Sequence, residues 1–193
     1  MNRTAALIMA AGASSRFDGC KLLAEVNGQA LLQQSIDLVS GVLPDNVYVV
    51  TGAWHRELMQ AKKKRKLSGG AFIYADTWSE GLSASLVTGI CHLERDYDAV
   101  LVVLADQVAL SRDDLERLLA TFDGRNIACG FYHGRRGVPA IFGRNSFPRL
   151  KQLSGDQGAK AVLYETAIPV LECSIPNASL DIDNREQLAQ WKG

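Results

Sequence analysis

A segment rich in small residues follows the first apolar run of the chain and ends in two cations. Residues 10–21 read AAGASSRFDGCK, in which Arg16 and Lys21 are the cations. Small side chains let a ligand approach the backbone closely, and exposed backbone N–H groups bind phosphate oxygens. The two cations add positive charge suited to a polyphosphate. The spacing matches neither GxGxxG nor GxxxxGK followed by Ser or Thr, so it predicts a phosphate-binding loop of another kind, with a plain surface turn as the alternative.

Three aspartates sit where strands are predicted to end or to expose one face. Asp106 directly follows the apolar run at 99–105, and Asp181 and Asp183 flank a single residue near the end of the chain. In an extended segment, residues two apart project from the same face. Because carboxylate oxygens are preferred ligands of Mg²⁺, these aspartates predict a magnesium site. The alternatives are a turn role for Asp106 and a helix cap made by Asp183 with Glu186.

Glycine and serine begin three further segments. Residues 81–85 (GLSAS) open a predicted helix, which puts Ser83 and Ser85 in a first turn whose backbone N–H groups are unpaired. Anions are favoured at such a terminus. Residues 137–139 (GVP) precede a predicted strand, and residues 155–160 (GDQGAK) open another helix. Each segment alone is a weak indication of anion binding, and a serine N-cap explains the first as well.

The elements that must position these residues are indicated by the apolar pattern. Continuous apolar or β-branched runs predict strands, and apolar residues spaced by three or four predict amphipathic helices. The predicted strands of the first half are 5–9, 47–50, 71–75 and 99–105, and the predicted helices are 32–43, 54–66, 82–93 and 111–122. This alternation favours a three-layer α/β/α fold around a mostly parallel sheet.

The second half departs from this alternation. Residues 126–132 and 138–142 predict two strands, with a turn rich in glycine and arginine at 133–137 between them. A hairpin of this kind would add an antiparallel edge to the sheet. The remaining predicted elements are a helix over 159–166, a strand over 168–171 and a short helix after residue 183. Because the sequence holds neither a linker nor an internal repeat, we expect one domain over residues 1–193.

Composition excludes several classes of protein. Lysine plus arginine and aspartate plus glutamate each number 21 among 193 residues, so the formal net charge is zero. A nucleic-acid-binding domain is usually basic, and a solvated helix end accounts for the basic run at 62–66. No apolar run in the sequence approaches the ~20 residues of a membrane span. Scattered cysteines, and a first apolar run that indicates a strand rather than a leader, predict reduced thiols and a cytoplasmic protein.

In order along the chain, these segments resemble the MobA-like nucleotidyltransferase family, and within it the molybdenum cofactor cytidylyltransferase branch. Several motifs in sequence are more specific than any one of them. They are an AAGxSxRxGxxK-type loop at 10–21, GxxxSL at 81–86, DQP at 106–108, GxPxxF at 137–142, GDxGA before a cation at 155–160 and a DIDT-like end at 181–184. Phe17-Asp18-Gly19 replaces the usual Met-Gly of the loop, and Val108 replaces the proline of DQP.

The resemblance implies a Rossmann-like nucleotidyltransferase fold. It also implies Mg²⁺-dependent transfer of CMP from CTP to the terminal phosphate of molybdopterin or molybdenum cofactor, with release of pyrophosphate, and a molybdenum enzyme as recipient of the product. Lys21 and Arg16 would be catalytic. The residues that would bind the nucleotide are Ala10, Ala11, Gly12, Ala13, Ser14, Ser83 and Ser85. Those for the metal would be Asp106, Asp181 and Asp183, and those for the acceptor Gly137, Pro139, Gly155 and Asp156.

Other functions stay open at this point. GTP could replace CTP with the same pterin, or CTP or UTP could react with a sugar phosphate. Ala10-Ala11-Gly12 favours CTP, because the guanylyl branch of the family tends to have a second glycine there. Two alternatives of other classes are a non-catalytic nucleotide-binding assembly partner of a molybdenum enzyme and a nucleic-acid-binding module that uses the basic run at 62–66.

Overall fold

The computed structural model describes residues 3–165, 167–182 and 184–191. The strands in chain order are β1 (Thr4–Ala10), β2 (Glu25–Val26), β3 (Gln29–Ala30), β4 (Val47–Thr51), β5 (Ala71–Tyr74), β6 (Ala99–Leu104), β7 (Ile127–Tyr132), β8 (Arg135–Gly143) and β9 (Val170–Ser174). The helices are α1 (Leu31–Ser40), α2 (His55–Lys63), α3 (Leu82–Leu93), α4 (Arg112–Thr121), α5 (Phe147–Leu150), α6 (Lys160–Leu163) and α7 (Arg185–Gln190).

In these residues, seven strands form one sheet in the order β5-β4-β1-β6-β8-β7-β9, and β2 and β3 form a separate small hairpin. β1 pairs in parallel with β4 and β6, and β7 pairs in parallel with β9. β8 is antiparallel to both of its neighbours. The predicted α/β fold with a mostly parallel sheet is confirmed. The predicted antiparallel edge is corrected in position, because β8 pairs on both sides and therefore lies inside the sheet.

Two apolar cores lie on the two faces of the sheet because its inner strands are apolar on both faces. Leu7 and Ile8 of β1 are fully buried and belong to different cores. The core that contains Ile8 packs against α1, α2 and α4, and the core that contains Leu7 packs against α3, α5 and α6. Strands buried on both faces are typical of parallel sheets covered by helices.

The second half of the chain differs in detail from the prediction. β8 begins at Arg135, so the turn of the β7–β8 hairpin is shorter than the predicted turn at 133–137. The helix predicted over 159–166 is a single turn, α6, and its predicted last residue, Thr166, lies outside the described residues. The last strand of the sheet begins at Val170, two residues after the predicted start. The N-cap of α7 is Asn184, whose side chain accepts a hydrogen bond from the Gln187 N–H.

The basic run at 62–66 extends beyond its helix. α2 ends at Lys63, so the predicted helix end at residue 66 is three residues too far. The Lys62 ammonium donates to the carbonyl oxygen of Gly70 at 2.6 Å and lies 4.4 Å from the centre of the Phe72 ring. Lys62 therefore fastens α2 to β5. Among the residues that the structure describes, none of the helices combines the length and the apolar character needed to cross a membrane.

The order of the strands decides where a site can form. The carboxyl ends of β1 and β6 lie side by side, with Met9 paired to Leu104. The segment after β1 and the segment after β6 therefore leave the sheet at the same edge, where ligands of open α/β sheets bind.

Candidate active site

The loop after β1 is folded back and attached to the segment after β4. Ser14 has a φ of +52°, and its carbonyl oxygen accepts a hydrogen bond from the Phe17 N–H at 2.8 Å. The carbonyl oxygen of Ala11 accepts from the Ala53 N–H at 3.1 Å, and that of Ala13 accepts from the Trp54 indole N–H at 2.9 Å. These bonds turn the carbonyl oxygens of Ala11 and Ala13 toward protein. Both residues thus support the loop from behind.

Lys21 is a nearly buried cation at this edge, held by two short hydrogen bonds. Its side chain is only 10% exposed, and its ammonium donates to Asp106 Oδ2 at 2.7 Å and to the carbonyl oxygen of Ile182 at 2.6 Å. An ammonium has three N–H donors, so one remains for a ligand. A buried charge needs such partners to offset its desolvation. The three bonded groups come from segments more than 75 residues apart along the chain, since Asp106 is 85 residues from Lys21 and Ile182 is 161.

A pocket of about 240 Å³ opens between this loop and the end of β6, and we call it the loop pocket. Its walls include the small residues of the loop, Arg16, Lys21 and Asp106. Of the residues predicted to bind the nucleotide, the loop pocket is lined by Ala10, Gly12 and Ser14. The structure thus brings together the two predicted catalytic cations and one predicted metal ligand.

A second and larger cavity, of about 610 Å³, lies beside the loop pocket, and we call it the wide cavity. Met9 at the end of β1 lines both spaces, so they adjoin at that side chain. The apolar residues that line the wide cavity are Met9, Leu82, Leu86, Val102, Leu104, Val138, Ala159 and Leu163. The charged and aromatic residues that line it are Tyr132, His133, Arg135, Arg136, Lys160 and Asp181. One space is thus small and polar, and the other is wide, with an apolar wall and several cationic residues.

The residues predicted for acceptor binding are divided by the structure. Gly137 lines the wide cavity, whereas Pro139 is buried in β8. Gly155 and Asp156 lie against Gly81 at the start of α3, where an added Cβ would come within 2.6 Å of the Gly155 carbonyl oxygen. The following residues of the same segment, 157–160, line the cavity instead. The predicted segment at 155–160 therefore reaches the wide cavity, but Gly155 and Asp156 pack against the start of α3 and do not line the cavity.

Ser83 and Ser85 are placed differently from the prediction that they face a nucleotide. Both are buried in α3, and neither is among the residues that line the loop pocket. The Ser83 N–H donates to the Gly155 carbonyl oxygen at 3.0 Å, and its hydroxyl oxygen accepts from the Gly158 N–H at 3.1 Å. Ser83 therefore fixes the segment that forms one wall of the wide cavity.

The sequence indicates Gln107 only as the second residue of the DQP-like motif. In the structure, Gln107 joins three parts of the site. Its side chain is buried and its amide donates to the carbonyl oxygens of Val138 and Ala178, both at 2.9 Å. Its Oε1 accepts from the Leu104 N–H at 3.3 Å. Gln107 thus connects the end of β6 to the wall of the wide cavity and to the segment before Asp181. A glutamine directly after a predicted strand-end aspartate was the signal available in the sequence.

The three predicted metal ligands are not gathered into one described cluster. Asp106 lines the loop pocket and Asp181 lines the wide cavity. Asp183 lies outside the described residues. Within residues 3–165, 167–182 and 184–191, no group of three or more His, Cys, Asp or Glu side chains could hold a metal ion. Asp106 is therefore the predicted ligand whose placement in the loop pocket is described.

Tyr132 lies where Asp181 approaches the wide cavity. Its hydroxyl donates to the Val138 carbonyl oxygen at 2.9 Å. Burial raises the pKa of the Tyr132 phenol, and the nearby negative charge of Asp181 raises it further. The phenol is therefore neutral at physiological pH and acts as a hydrogen-bond donor that shapes the cavity.

The unusual Phe17-Asp18 pair of the loop is held by α7. The Arg185 guanidinium donates to the Asp18 carbonyl oxygen at 2.6 Å. The guanidinium carbon also lies 5.2 Å from the centre of the buried Phe17 ring, within the range of a cation–π contact. The last helix thus closes over the loop, and the departure from the usual Met-Gly has a structural role here.

Comparison with known proteins gives one family and several relatives. The sequence profile of the MobA-like NTP transferase domain matches residues 6–170. The chain is 28% identical over 197 residues to the purine catabolism protein PucB of Bacillus subtilis strain 168, with 94% of this chain and 92% of PucB covered. It is also 28% identical over 149 residues to the bifunctional protein GlmU of Mycolicibacterium gilvum strain PYR-GCK. That match covers 75% of this chain and 30% of GlmU, so the chain spans about a third of the GlmU length.

Solved structures share the fold at lower identity. Rv0371c from Mycobacterium tuberculosis H37Rv superimposes with a TM-score of 0.83 at 21% identity, covering 98% of this chain and 96% of that one. Rv0371c has also been crystallised in complex with manganese. A CMP:2-keto-3-deoxy-manno-octonic acid synthetase solved with CTP superimposes with a TM-score of 0.76 at 15% identity, covering 97% of this chain and 96% of that one. At these identities the likeness establishes the shared architecture.

Proposed function

The chain belongs to the MobA-like NTP transferase family, and on that basis we propose that it transfers CMP from CTP to the terminal phosphate of molybdopterin or molybdenum cofactor. It is a nucleotidyltransferase; the nucleotide and the acceptor are the proposed part. The observation that carries the proposal is the adjacency of two unlike spaces at Met9, one polar with Lys21 and Asp106, the other wide enough for a ring system.

The reaction requires two anions to approach each other. An oxygen of the acceptor phosphate forms a bond to the α-phosphorus of the nucleotide, and the bond from that phosphorus to the bridging oxygen of the β-phosphate breaks. Pyrophosphate leaves with the bonding electron pair. A phosphate monoester has a second pKa near 6, so at neutral pH the attacking oxygen is already largely ionised. No general base is needed, and the task of the protein is to position the two reactants and to neutralise charge.

Lys21 is suited to neutralise that charge. Its bonds to Asp106 and Ile182 fix the ammonium at the wall of the loop pocket and leave one N–H for the α-phosphate. A preorganised donor stabilises developing charge without having to reorganise during the reaction. Arg16 lines the same pocket on an exposed part of the loop, and we assign it to the leaving pyrophosphate.

The donor set of the loop pocket suits a divalent cation bound together with a nucleotide. Magnesium commonly uses one or two carboxylates, with substrate phosphates and water as its other ligands. Asp106 offers one such carboxylate; its Oδ2 accepts from Lys21, so Oδ1 would be the oxygen available to a cation. Asp106 would hold the ion, with Asp183 and Asp181 as the further proposed ligands. When bound, Mg²⁺ would offset charge on the α-phosphate and on the leaving group.

The acceptor is assigned to the wide cavity. Gly137 and residues 157–160 line it, while Pro139, Gly155 and Asp156 hold those segments in place. A ring system fits the apolar wall, and its phosphate would point to Met9 and the loop pocket. The product would pass to a molybdenum enzyme in the cytoplasm.

CTP is the first nucleotide to test. Ala10-Ala11-Gly12 lacks the second glycine that is typical of guanylyl transferases, and one protein of the same fold was solved with CTP. The experiment incubates the purified protein with Mg²⁺ and each of CTP, GTP, ATP and UTP, with and without molybdenum cofactor, and measures pyrophosphate release.

Release with CTP that depends on the cofactor is the expected result. Release with another nucleotide would show that the base is not cytosine. Release with CTP only when a sugar phosphate is added would show that the acceptor is a sugar phosphate. Folded protein that binds CTP but releases no pyrophosphate with any acceptor would favour the non-catalytic assembly partner.

A further inference from the structure

Arg136 lies in the wall of the wide cavity with its guanidinium already fixed. Its Nε donates to Glu172 Oε1 at 2.7 Å, and its Nη1 donates to the Leu163 carbonyl oxygen at 2.8 Å. Its backbone N–H donates to the Tyr164 hydroxyl, and the guanidinium carbon lies 5.7 Å from the centre of that ring. A guanidinium has five N–H donors, so these two side-chain bonds leave three. The group is therefore preorganised and still able to bind an anion.

The charges that line the wide cavity are unequal. Arg135, Arg136 and Lys160 are cationic, and Asp181 is the one carboxylate among the described lining residues. The side chain of Arg136 is 28% exposed, and its ion pair with Glu172 offsets part of its charge, so Arg135 and Lys160 supply the rest of the positive charge at the cavity. Leu82, Leu86, Val102 and Leu104 form an apolar wall of the same cavity. An occupant that satisfies both parts has an apolar body and an anionic group.

The position of Arg136 separates it from the reacting phosphate. Met9, where the two spaces adjoin, is on β1, and Arg136 is on β8, with β6 between them. Neighbouring strands lie about 4.8 Å apart, so the two residues are on strands separated by about 10 Å. An anion bound by Arg136 would therefore be a different group from the phosphate that attacks the nucleotide.

We propose that the wide cavity selects acceptors that carry a second anionic group, bound by Arg136 on β8, two strands from Met9, where the attacking phosphate would lie. This inference deepens the proposed function and rests on it for the identity of the cavity as the acceptor site. Arg135 and Lys160 strengthen the attraction from the exposed rim. An acceptor whose far end carries no charge would lack the contact with Arg136 and would therefore bind more weakly.

A matched pair of fluorescent probes tests the charge requirement without knowledge of the acceptor. Anilinonaphthalene sulfonate and phenylnaphthylamine share one apolar body, and only the first carries an anion. We expect wild-type protein to bind the sulfonate about tenfold more tightly than the neutral probe, the scale of one charge-assisted hydrogen bond. Equal affinity for the two probes would overturn the proposal.

Variants test whether Arg136 is the residue responsible for the preference for the sulfonate. Arg136→Gln should weaken sulfonate binding about tenfold and leave binding of the neutral probe unchanged, since it removes one charge-assisted bond. Arg136→Lys should restore part of the preference. The matched control is Arg112→Gln, which removes the same charge from an exposed pair with Glu116 on α4, on the other face of the sheet. Loss of the preference in the control variant, or its retention in Arg136→Gln, would contradict the assignment to Arg136.

Two further measurements keep the test decisive. If Arg136→Gln melts at a lower temperature and binds both probes more strongly, the double variant Arg135→Gln, Lys160→Gln replaces it. That variant keeps Arg136, so it should retain a reduced sulfonate preference, and complete loss of the preference there counts against the assignment to Arg136. A CTP titration runs in parallel. CTP binding and pyrophosphate release with no sulfonate preference would refute this inference alone. A sulfonate preference lost in Arg136→Gln, from protein that does not bind CTP, would refute the proposed function and leave the anion site standing.

Discussion

The loop pocket and the wide cavity adjoin at one side chain but are built in different ways. The loop pocket takes most of its walls from one continuous segment after β1, with Asp106 and its neighbour from the end of β6. The wide cavity takes its walls from α3, β6, the end of β7, the start of β8, α6 with the residues before it, and the segment before α7. In the loop pocket, the charge of Lys21 is held by hydrogen bonds to protein groups, whereas the wide cavity exposes an apolar wall.

The difference separates two tasks. On the proposed function, neutralising a phosphate requires a few charges held rigidly, and a single loop next to one paired lysine would provide them. Choosing an acceptor requires a surface of matching shape and charge, which many segments must build together. Substitutions at the loop pocket should therefore change the rate, and substitutions at the wide cavity should change which acceptor is used.

The largest expected effect is at the centre of the loop pocket. Lys21→Ala removes the buried ammonium, and we expect turnover to fall by roughly 10²–10³-fold, the scale for loss of one preorganised electrostatic contact. Steady-state pyrophosphate release measures it, with circular dichroism to verify folding. Lys63→Ala, on the exposed end of α2, is the matched control and should keep wild-type turnover. Unchanged turnover in Lys21→Ala would remove Lys21 from the mechanism.

The next effect concerns the divalent cation. Asp106→Asn keeps the shape of the side chain but removes its charge, so the Mg²⁺ concentration for half-maximal rate should rise roughly 10–100-fold, as when metal sites lose a supporting group. Asp113→Asn, on the exposed face of α4, controls for the loss of one carboxylate. A Mg²⁺ titration identical to that of wild type would make Asp106 a turn residue.

A smaller effect tests whether one amide aligns the two spaces. Gln107→Met leaves the carbonyl oxygens of Val138 and Ala178 without their donor, which should cost roughly 1–3 kcal/mol of stability. Displacement of the cavity wall should also lower kcat/KM for the acceptor about tenfold, because shifts below 1 Å already reduce rates.

A second buried glutamine provides the control for Gln107. Gln33 on α1 donates to Asp37 and Ser68 and accepts from the Ser68 N–H. Gln33→Met should lose similar stability in urea unfolding and keep its kcat/KM. If the two variants have equal kinetics, Gln107 has only a structural role and does not align the two spaces.

The smallest expected effect is a change in stability at Asp114, which holds the segment before α7 through Asn177. Burial alone would raise the pKa of Asp114, but hydrogen bonds from Asn177, Ser111 and Arg117 outweigh it, and the pKa is lowered. A lowered pKa means that the ionised group stabilises the fold above its unfolded pKa of about 3.9, and that this is lost as pH falls through the folded value. Asp114→Asn should therefore be about 1–2 kcal/mol less stable than wild type at neutral pH.

Urea unfolding at several pH values measures this difference. The gap between wild type and Asp114→Asn should narrow as the pH falls below about 4, since the Asp114 carboxylate then takes up a proton in the unfolded chain before it does so in the folded protein. Asp113→Asn, whose side chain is exposed, should show no such gap. A gap that stays constant through the acid range would mean that Asp114 contributes by shape rather than by charge.

Local pattern was sufficient for most elements and for the loop pocket. The strand predicted at 99–105 is apolar at every position and forms β6, and the helix predicted over 111–122 forms α4, which begins with a capping box of Ser111 and Asp114. Arg16, Lys21 and Asp106 meet in one pocket because each directly follows, or lies in the segment after, one of two neighbouring strands. Proximity to the end of a predicted strand is readable in a sequence.

The wide cavity was beyond this kind of reasoning. Ser83 was predicted to face a ligand, and it holds a wall instead, because the segment at 155–158 packs on the start of α3. Arg136 gave no signal, since its role depends on Glu172 and Leu163, which β9 and α6 bring to it. β8 was expected at an edge, and its pairing with both β6 and β7 follows from the order of the strands.

The sequence by itself determined most of the α/β elements, the loop of small residues after β1 and the charged residues that line its pocket, because periodicity, small residues and strand ends are local properties. The tertiary structure decided that Lys21 meets Ile182 across 161 residues, that Gln107 joins both spaces and that Arg136 faces an apolar wall. These contacts depend on the order and direction of the strands in the sheet. Local sequence patterns do not indicate which distant segments burial and hydrogen bonding will bring together.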